Sequence, residues 1–407
     1  MELFQDKRYR HLFSAQVIAL IGTGLTTVGL ALLASDLAGN RAGEVLGTAL
    51  AIKMIAYVGI APVVGAYAVR LPRRALLVTL DLMRALVVIS LPFVTAVWQV
   101  YLLIFLLNTF SAGFTPVFQA TIPDIFEDER RYIQALSMSR LAYDLENLLS
   151  PLCAALLLAV MSFNALFVLN AAAFMLSALL VVSVSLPSQA PAKVDGGVWA
   201  RLTHGSVIYL RTPRLRGLLA LNMAVASAGA MQIVNTVVYV RHVLGAGETN
   251  VAIAFAAAGS GSMLIALSLP RLLKRLNQRA VMLAGGMLMS ASLFGGLISP
   301  GFYGLLLLWF VLGAGASMVM TPTGRLLKQS CQADERPALF AAQFSLSHAC
   351  WLIGYPLAGW LGASQGMTVA FAVLGTVASG STLAAVKMWP AQDQSLSQHR
   401  TEKAALR

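Results

Sequence analysis

Long runs without a single charged residue constrain this chain more than any other feature of its sequence. Such runs include residues 12–35, 85–123, 147–192, 280–324 and 337–386. A helix needs about 20 apolar residues to cross about 30 Å of hydrocarbon, so the first run predicts one span and each of the others has room for roughly two. Period-2 alternation is absent, and lipid leaves an open backbone without hydrogen-bond partners. The runs therefore predict an all-α integral membrane protein.

The composition excludes several other classes of protein. Hydrophobic residues make up 58% of the chain and charged residues 11%, whereas roughly a quarter of the residues are charged in a soluble domain. A soluble enzyme and a disordered chain are therefore excluded. The three cysteines lack metal-ligand spacing, so the sequence predicts neither a disulfide framework nor a zinc site. No phosphate-binding Gly-x-x-x-x-Gly-Lys-Ser/Thr loop occurs, so we expect energy from an ion gradient. Tyr143-Asp144 resembles half of an intramembrane aspartyl protease dyad, but the second acid in a Gly-x-Gly-Asp setting is missing, so we expect neither enzymatic activity nor a cofactor.

The apolar segments accommodate twelve transmembrane helices. Of the 29 lysines and arginines, 24 fall on the side that holds both termini, whereas Arg41 and Arg241 fall on the other side and three lie within spans. Cationic loops stay in the cytoplasm, so both termini are predicted to be cytoplasmic. The net charge of +12 follows from this topology and from affinity for anionic membrane lipids, so no nucleic-acid partner is expected. The spans are predicted near residues 12–34, 45–68, 75–97, 99–122, 136–160, 163–186, 215–240, 250–270, 280–298, 301–322, 338–362 and 366–387.

The chain contains an internal duplication, because residues recur at an offset of 205 to 206. The matching positions are Arg8 with Arg214, Arg10 with Arg216, Arg70-Leu71 with Arg275-Leu276, Arg74 with Arg279, Thr115-Pro116 with Thr321-Pro322, and Asp128-Glu129-Arg130 with Asp334-Glu335-Arg336. Each half has an even number of spans, so the two halves share one orientation in the membrane. We predict a six-helix bundle at 1–186, a cytoplasmic linker that could include an interfacial helix at 187–213, a second bundle at 214–390 and a cytoplasmic tail at 391–407.

The segment 65–78, GAYAVRLPRRALLV, resembles the Gly-x-x-x-Asp-Arg-x-Gly-Arg-Arg signature that the major facilitator superfamily carries between its second and third helices. The matching residues are Gly65, Arg70, Arg73 and Arg74. Val69 stands where the acid is expected, and Pro72 stands where the second glycine is expected. The resemblance covers essentially the whole chain and implies the twelve-helix major facilitator fold, with these four residues at a cytoplasmic gate.

Two further segments, TPVFQATIPDIF at 115–126 and RLAYDLENLLSP at 140–151, together look like the NreB-type nickel-resistance exporters, in the branch that also holds macrolide and siderophore exporters. This resemblance implies a monomer in the bacterial cytoplasmic membrane that exports nickel or cobalt in exchange for protons. An exporter of an organic drug, siderophore or metal chelate is the alternative. A non-transporting receptor or lipid-handling protein on the same fold also remains open.

Ionisable groups within spans cost about 2.5–3.5 kcal/mol each on insertion scales, so each needs an explanation. Asp81 and Arg84 are i,i+3 neighbours on helix 3, which predicts a structural or gating ion pair. Lys53 on helix 2 either snorkels toward the outer head groups or pairs with an acid on helix 5. Lys53 and Arg140 of helix 5 are grouped with the predicted gating residues.

Helix 5 has the densest polar pattern. Arg140, Asp144 and Asn147 lie on one face, and Tyr143 and Glu146 lie on the adjoining face. Arg140 and Asp144 can neutralise each other, which leaves Glu146 without a partner on its own helix, about 15 Å into the bilayer. A carboxylate held away from water can take up a proton on one side of the membrane and release it on the other. Glu146, with Asp144, is the candidate for proton coupling, and a structural acid is the alternative.

The eleventh predicted span, 338–362, carries two soft or titratable groups, His348 and Cys350. By the repeat offset they correspond to Tyr143 and Asp144, so they could face the same cavity. With Glu146 they would form an oxygen, nitrogen and sulfur ligand set suited to a transition-metal ion. Core packing is the alternative for both.

Uncharged polar side chains in the spans are candidates for a solute pathway. The predicted solute-binding residues are Gln16, Thr23, Asn108, Tyr143, Asn147, Gln232, Asn235, His348 and Cys350. Hydrogen bonding between helices is the alternative for the amides and hydroxyls. Pro116 and Pro322 occupy equivalent places in the two halves, which predicts a matching kink in each half.

Overall fold

A computed structural model describes residues 2–38, 42–68, 71–126, 128–186 and 197–391. Val69 and Arg70 of the gating motif, most of the predicted linker at 187–196 and the tail from residue 392 onward lie outside this part of the chain. The predicted role of Asn147 also lies outside it, because the structure describes the backbone of that residue and not its side chain.

The described chain is entirely helical, and the predicted fold class is confirmed. Twelve of its helices have between 18 and 32 residues, long enough to cross a bilayer. They are α1 (Lys7–Ala38), α2 (Ala42–Ala68), α3 (Arg73–Ser90), α4 (Val97–Ile125), α5 (Glu129–Leu158), α6 (Phe163–Val182), α8 (Pro213–Val238), α9 (Glu248–Arg275), α10 (Gln278–Gly295), α11 (Phe302–Met320), α13 (Arg336–Ser364) and α14 (Met367–Met388). Two shorter helices are α7 (Val198–Arg211), in the predicted linker, and α12 (Thr323–Lys328).

Length and hydropathy mark the helices as membrane spans. Within the described residues, nine stretches are long and apolar enough to cross a membrane, and α2 adds a shorter apolar stretch, Ala51–Tyr67. Large apolar side chains lie on the outer surface, such as Val160 and Ile298, which are 80% and 82% exposed. A water-soluble surface would not carry so many of them, whereas lipid chains solvate them. The chain is a multi-pass membrane protein.

Contacts between Cα atoms divide the chain into two compact units. One comprises residues 1–206 with 333–352, and the other comprises residues 207–332 with 353–407. The first part of α13 therefore packs with the N-terminal unit, although the sequence repeat places this helix in the second half. Within the first unit α1 packs on α6, α2 on α4, and α3 on both α4 and α6. Within the second unit the corresponding helices pair in the same way, α8 with α14, α9 with α11, and α10 with α11 and α14.

The two halves differ at their matched prolines. Pro116 lies inside the continuous helix α4, whereas at Pro322 the chain breaks into α11 and α12. Proline removes a helical hydrogen bond at both places. In the second half the Gln278 amide donates to the Pro322 carbonyl at 2.9 Å, which supports the break. At the offset that pairs Arg74 with Arg279, the equivalent residue of the first half is Arg73, whose guanidinium bonds Asp124, and α4 continues through Pro116.

Candidate functional site

A carboxylate and an ammonium from two helices of the first unit interact electrostatically. Glu146 on α5 and Lys53 on α2 are both half-buried, and the Lys53 charge acts on the Glu146 carboxylate. In the described part of the chain the carboxylate of Glu146 makes no hydrogen bond. Of the two alternatives predicted for Lys53, the structure therefore favours the interaction with a helix-5 acid.

Gly24 on α1 makes room for this carboxylate. A Cβ atom at Gly24 would lie 2.9 Å from Oε1 of Glu146 and 2.0 Å from Oγ of Ser150. Contacts this short do not occur for real side chains, so the missing Cβ is what lets α1 approach α5 here. The carboxylate is thus held between α1, α2 and α5, and its position depends on how closely these helices pack.

The Tyr57 ring adjoins the ammonium of Lys53, and two further rings pack against Tyr57. Its Nζ atom lies 5.5 Å from the centroid of the Tyr57 ring, within the range of a cation–π contact. Tyr57 packs against Phe344 and His348 of α13, with centroids 4.9 and 4.8 Å away, and the two α13 rings are 4.2 Å apart. We call Lys53, Tyr57, Glu146, Phe344 and His348 the Glu146 centre.

A polar wall from α1 and α5 continues the Glu146 centre. The buried amide of Gln16 accepts a hydrogen bond from Ser139 at 3.1 Å and also hydrogen-bonds Tyr143. Tyr143 interacts electrostatically with Glu146 and Tyr57, so it joins this wall to the centre. The structure thus brings Tyr143 to Glu146 and Gln16 to Tyr143, and both residues were predicted from sequence.

The second acid predicted for proton coupling is already balanced on its own helix. Arg140 and Asp144 form an i,i+4 ion pair at 2.9 Å, and the Asp144 side chain is 5% exposed. Both residues make further contacts. The neutralisation predicted from their spacing is therefore present, and Glu146 is the acid of α5 whose counter-charge comes from another helix.

The predicted metal site is not assembled. Among the residues that the structure describes, no three histidine, cysteine, aspartate or glutamate side chains come together as metal ligands. His348 turns toward Tyr57 of α2, whereas the buried Cys350 donates to the Leu346 carbonyl of its own helix at 3.4 Å. Residues two apart on a helix point about 200° apart, so His348 and Cys350 cannot converge on the ion that Glu146 would bind. The grouping of Glu146, His348 and Cys350 is corrected accordingly.

Most of the other predicted pathway residues are used in helix packing. Asn108 is buried and donates to the Ile104 carbonyl one turn earlier. Asn235 donates to the Ala358 carbonyl of α13 at 3.0 Å. The hydroxyl of Thr23 donates to the Ala19 carbonyl. Gln232 is half-buried on α8 and belongs to the second unit. These hydrogen bonds match the packing alternative predicted for Asn108, Asn235 and Thr23.

A second cluster of charges joins three helices at another place in the first unit. The carboxylate of Asp124 at the end of α4, 2% exposed, bonds the guanidinium groups of both Arg73 at the start of α3 and Arg336 at the start of α13. We call Arg73, Asp124 and Arg336 the Asp124 bridge. Sequence reasoning singled out Arg73 but missed Asp124 and Arg336. The sequence signal for Asp124 was an acid directly after the uncharged run 85–123. The gating motif lacks its own acid, because Val69 stands at that position, so an acid from another segment could take its place.

The other gating residues divide into close contacts and surface residues. A Cβ at Gly65 would lie 2.4 Å from Cβ of Ala341, so this glycine lets α2 approach the first part of α13. The hydroxyl of Ser345, one turn further, donates to the Val58 carbonyl of α2 at 2.6 Å. Arg74 is exposed. The motif thus contributes one close helix contact and one buried charge, with Arg74 at the surface.

The ion pair predicted on helix 3 is present and fully enclosed. Asp81 bonds Arg84 and accepts a hydrogen bond from Ser177 of α6 at 2.8 Å. The Arg84 guanidinium lies over the rings of Phe114 and Phe174, 4.0 and 4.4 Å from their centroids. These contacts tie α3 to α4 and α6, so the pair has a structural role.

Comparisons with known proteins agree with this architecture. The sequence model described as Major Facilitator Superfamily matches residues 12–278 and again residues 219–406. An uncharacterized MFS-type transporter of Bacillus subtilis strain 168, YfiS, is 28% identical over 328 residues, which cover 77% of this chain and 77% of that protein.

Solved structures of transporters share the fold. The human organic anion transporter MFSD10 (TETRAN) has a TM-score of 0.77 at 12% identity, with 93% of this chain and 99% of that chain covered. The fucose:proton symporter FucP of E. coli has a TM-score of 0.74 at 12% identity, covering 94% and 98%. An outward-facing bacterial homologue of the iron transporter ferroportin has a TM-score of 0.76 at 13% identity, covering 93% and 98%. At these identities the likeness concerns the fold alone.

Proposed function

The chain belongs to the Major Facilitator Superfamily, and from this premise we propose that it is a proton-coupled secondary transporter of a small organic solute, with Glu146 as the residue that carries the proton. That it is a secondary transporter of the MFS type follows from the family. Proton coupling, the identity of the carrier and the organic nature of the solute are the proposal.

One observation carries the assignment of Glu146. Its carboxylate is half-buried, makes no hydrogen bond within the described residues and faces a single ammonium that comes from a different helix. A structural acid in a membrane span is normally enclosed by hydrogen bonds, as Asp81 is. A carboxylate that must gain and lose a proton in each cycle needs a partner that can be withdrawn, and a lysine on another helix meets that need.

The rings around Lys53 support an organic solute over a bare metal ion. A divalent cation beside Glu146 would also lie near the Lys53 ammonium. At about 6 Å and an effective dielectric constant of about 20, their repulsion amounts to roughly 5 kcal/mol. Tyr57, Phe344 and His348 offer an apolar wall of the kind that small organic ligands use. Export of nickel or cobalt, the first expectation from the resemblance, is therefore not retained, and export as the direction of transport remains a prediction.

The experiment compares the full chain with Glu146→Gln after reconstitution into liposomes that contain a pH-sensitive dye. We expect a panel of small organic solutes to include one whose addition moves protons across the membrane with the wild-type chain. Glu146→Gln should abolish this proton movement while exchange of labelled solute continues, because the amide cannot release a proton. Glu129→Gln, on the first turn of the same helix, is the matched control. Proton movement that survives Glu146→Gln would contradict the proposal, and so would the absence of flux for every solute.

A further inference from the structure

The charges of the Glu146 centre narrow the chemical class of the solute, and this inference rests on the proposed function. The centre contains one acid, Glu146, and one base, Lys53, from opposite helices. The nearby acid Asp144 is neutralised by Arg140 at 2.9 Å on its own helix. The net charge of the site, with and without a bound proton and solute, therefore depends on Glu146 and Lys53.

Charges held away from water are most stable when they cancel. The empty site is neutral when Glu146 is ionised, because the Lys53 charge compensates it. Protonation of Glu146 removes that compensation and leaves the ammonium of Lys53 without a counter-charge. A bound anion restores neutrality, whereas a bound cation leaves the site positive in both protonation states of Glu146.

We propose that the Glu146 centre binds a monoanionic organic solute together with one proton, and that Lys53 is its anion-binding residue. The proton passes from water to the carboxylate of Glu146, and the ammonium of Lys53 exchanges that carboxylate for the anionic group of the solute. No covalent bond in the solute changes. The empty site and the loaded site are both neutral, so neither has to carry a net charge through a region of low dielectric constant. This charge balance corresponds to cotransport of solute and proton, which an inward proton gradient drives as uptake, whereas exchange and export were expected from the resemblance.

The rings of the centre indicate the shape of the rest of the solute. Tyr57, Phe344 and His348 are partly exposed and pack within 4.2–4.9 Å of one another. Together they form an apolar wall beside the Lys53 ammonium. Flat apolar bodies pack well against ring faces and edges. The solute class that fits is an aromatic or similarly flat monocarboxylate.

Other titratable groups lie at or near the same centre, and the test must distinguish their protonation from that of Glu146. They are Tyr57 on α2, Tyr143 on α5, His348 on α13 and, through Tyr143, Arg84 on α3. The α1 wall contributes the uncharged Gln16. His348 has an unperturbed titration range closest to neutral pH, so a variant that removes it is part of the test.

The test measures binding of three probes with the same ring and different charges: benzoate, benzylammonium and benzyl alcohol. Equilibrium dialysis of the full chain in detergent is performed in mildly acidic and mildly alkaline buffer. We expect the wild-type chain to prefer benzoate, with Kd falling by up to about tenfold for each unit of pH toward acid, because a proton binds with the anion. Glu146→Gln should bind benzoate with an affinity that no longer depends on pH. His348→Asn should keep the pH dependence.

Lys53 is tested by removing and by conserving its charge. Lys53→Met should weaken benzoate binding by at least about tenfold at both pH values and leave benzyl alcohol binding unchanged. Lys53→Arg keeps the charge and should retain benzoate binding. That result would show that the weaker binding of Lys53→Met comes from the lost charge. Lys274→Met, at the exposed end of α9, is the matched control.

The outcomes separate this inference from the proposed function. Preference for benzylammonium, with binding that weakens on acidification and depends on Glu146, would overturn the anionic solute and leave proton coupling at Glu146 in place. Benzoate binding that survives Lys53→Met, or no benzoate binding by the wild-type chain, would overturn the inference as well. Binding of every probe that is independent of pH in the wild-type chain would contradict the proposed function itself.

Discussion

Glu146 differs from the other buried acids in how its charge is balanced. Asp81 and Asp144 each pair with an arginine on their own helix, and Asp124 has two arginines. The pairs of Asp81 and Asp144 persist whenever their helices persist, and Asp124 keeps two arginines from other helices. Glu146 relies on Lys53 from another helix, so its counter-charge changes when α2 and α5 move or when a solute competes for the lysine. At the scale of single residues this is the basis for assigning proton coupling to Glu146.

Replacing Asp81 should destabilise the fold strongly, because Arg84 would keep a buried charge without a counter-charge. We expect Asp81→Asn to lower the free energy of unfolding by about 3–5 kcal/mol, the usual cost of breaking a buried pair. Unfolding of the purified chain in detergent measures the effect. The double variant Asp81→Leu with Arg84→Met should recover much of the loss, and Asp36→Asn, at an exposed position, should have little effect. Equal stability of Asp81→Asn and the wild-type chain would show that the pair is not structural.

Gly24→Ala should impair transport, because its methyl group would occupy the space of the Glu146 carboxylate and the Ser150 hydroxyl. Displacing a coupling residue by about 1 Å commonly costs tenfold to a hundredfold in rate, so turnover should fall by at least about tenfold. Solute flux into proteoliposomes measures it. Gly59→Ala on α2 is the control, because nothing lies within 4 Å of its Cβ position. Equal losses in both variants would mean that the effect is not local to Glu146.

The site residues that could be predicted from sequence are those whose chemistry is costly in lipid. Glu146, Lys53 and His348 stand out because a span tolerates few such groups. Tyr57 and Phe344 could not be predicted, because aromatic residues are common in spans and their role depends on packing between helices. The error at Cys350 arose from treating proximity in sequence as a shared helix face.

At the scale of elements, the first part of α13 is the segment whose contacts matter most. It brings Phe344 and His348 to the rings of α2, and its first residue, Arg336, joins the Asp124 bridge. The same twenty residues, 333–352, therefore link the Glu146 centre to the bridge. The gating role that the resemblance implies for Arg73 therefore concerns a bridge that shares a segment with the Glu146 centre.

Asp124→Asn should loosen the first part of α13. Hydrogen bonds to charged groups contribute about 1.5–3 kcal/mol each, so losing the carboxylate should raise the population of the released segment by roughly tenfold to a hundredfold. Hydrogen exchange of the backbone amides of residues 336–345 measures this population. Arg74→Gln is the control, because Arg74 is the exposed neighbour of the bridging Arg73. If hydrogen exchange is unchanged in Asp124→Asn, the Asp124 bridge does not hold the first part of α13 in place.

The number and approximate bounds of the helices could be predicted because charge-free runs reflect the thickness of the hydrocarbon layer. The break between α11 and α12 could not be predicted from Pro322, since an equivalent proline leaves α4 continuous. At Pro322 a donor from another segment, Gln278, bonds the carbonyl, whereas the equivalent Arg73 bonds Asp124. A local pattern cannot report such a long-range contact.

At the scale of the whole molecule, the duplication visible in the sequence reappears as one packing scheme in both units. Corresponding helices pair in the same way in each unit, so the fold could be predicted from the repeat and the family resemblance. The association of residues 333–352 with the first unit could not, because it depends on tertiary contacts across the repeat boundary. The nature of the solute also escaped sequence reasoning, since it depends on which charges face each other.

The measurement that tests the central claim most directly is the number of protons taken up per solute bound. The purified full chain is titrated with benzoate in weakly buffered, mildly alkaline solution, and the change in pH is recorded. Our account predicts uptake of about one proton per bound anion by the wild-type chain and none by Glu146→Gln, because Glu146 is the residue that accepts it. Binding without proton uptake by the wild-type chain, or equal uptake by both chains, would contradict the account.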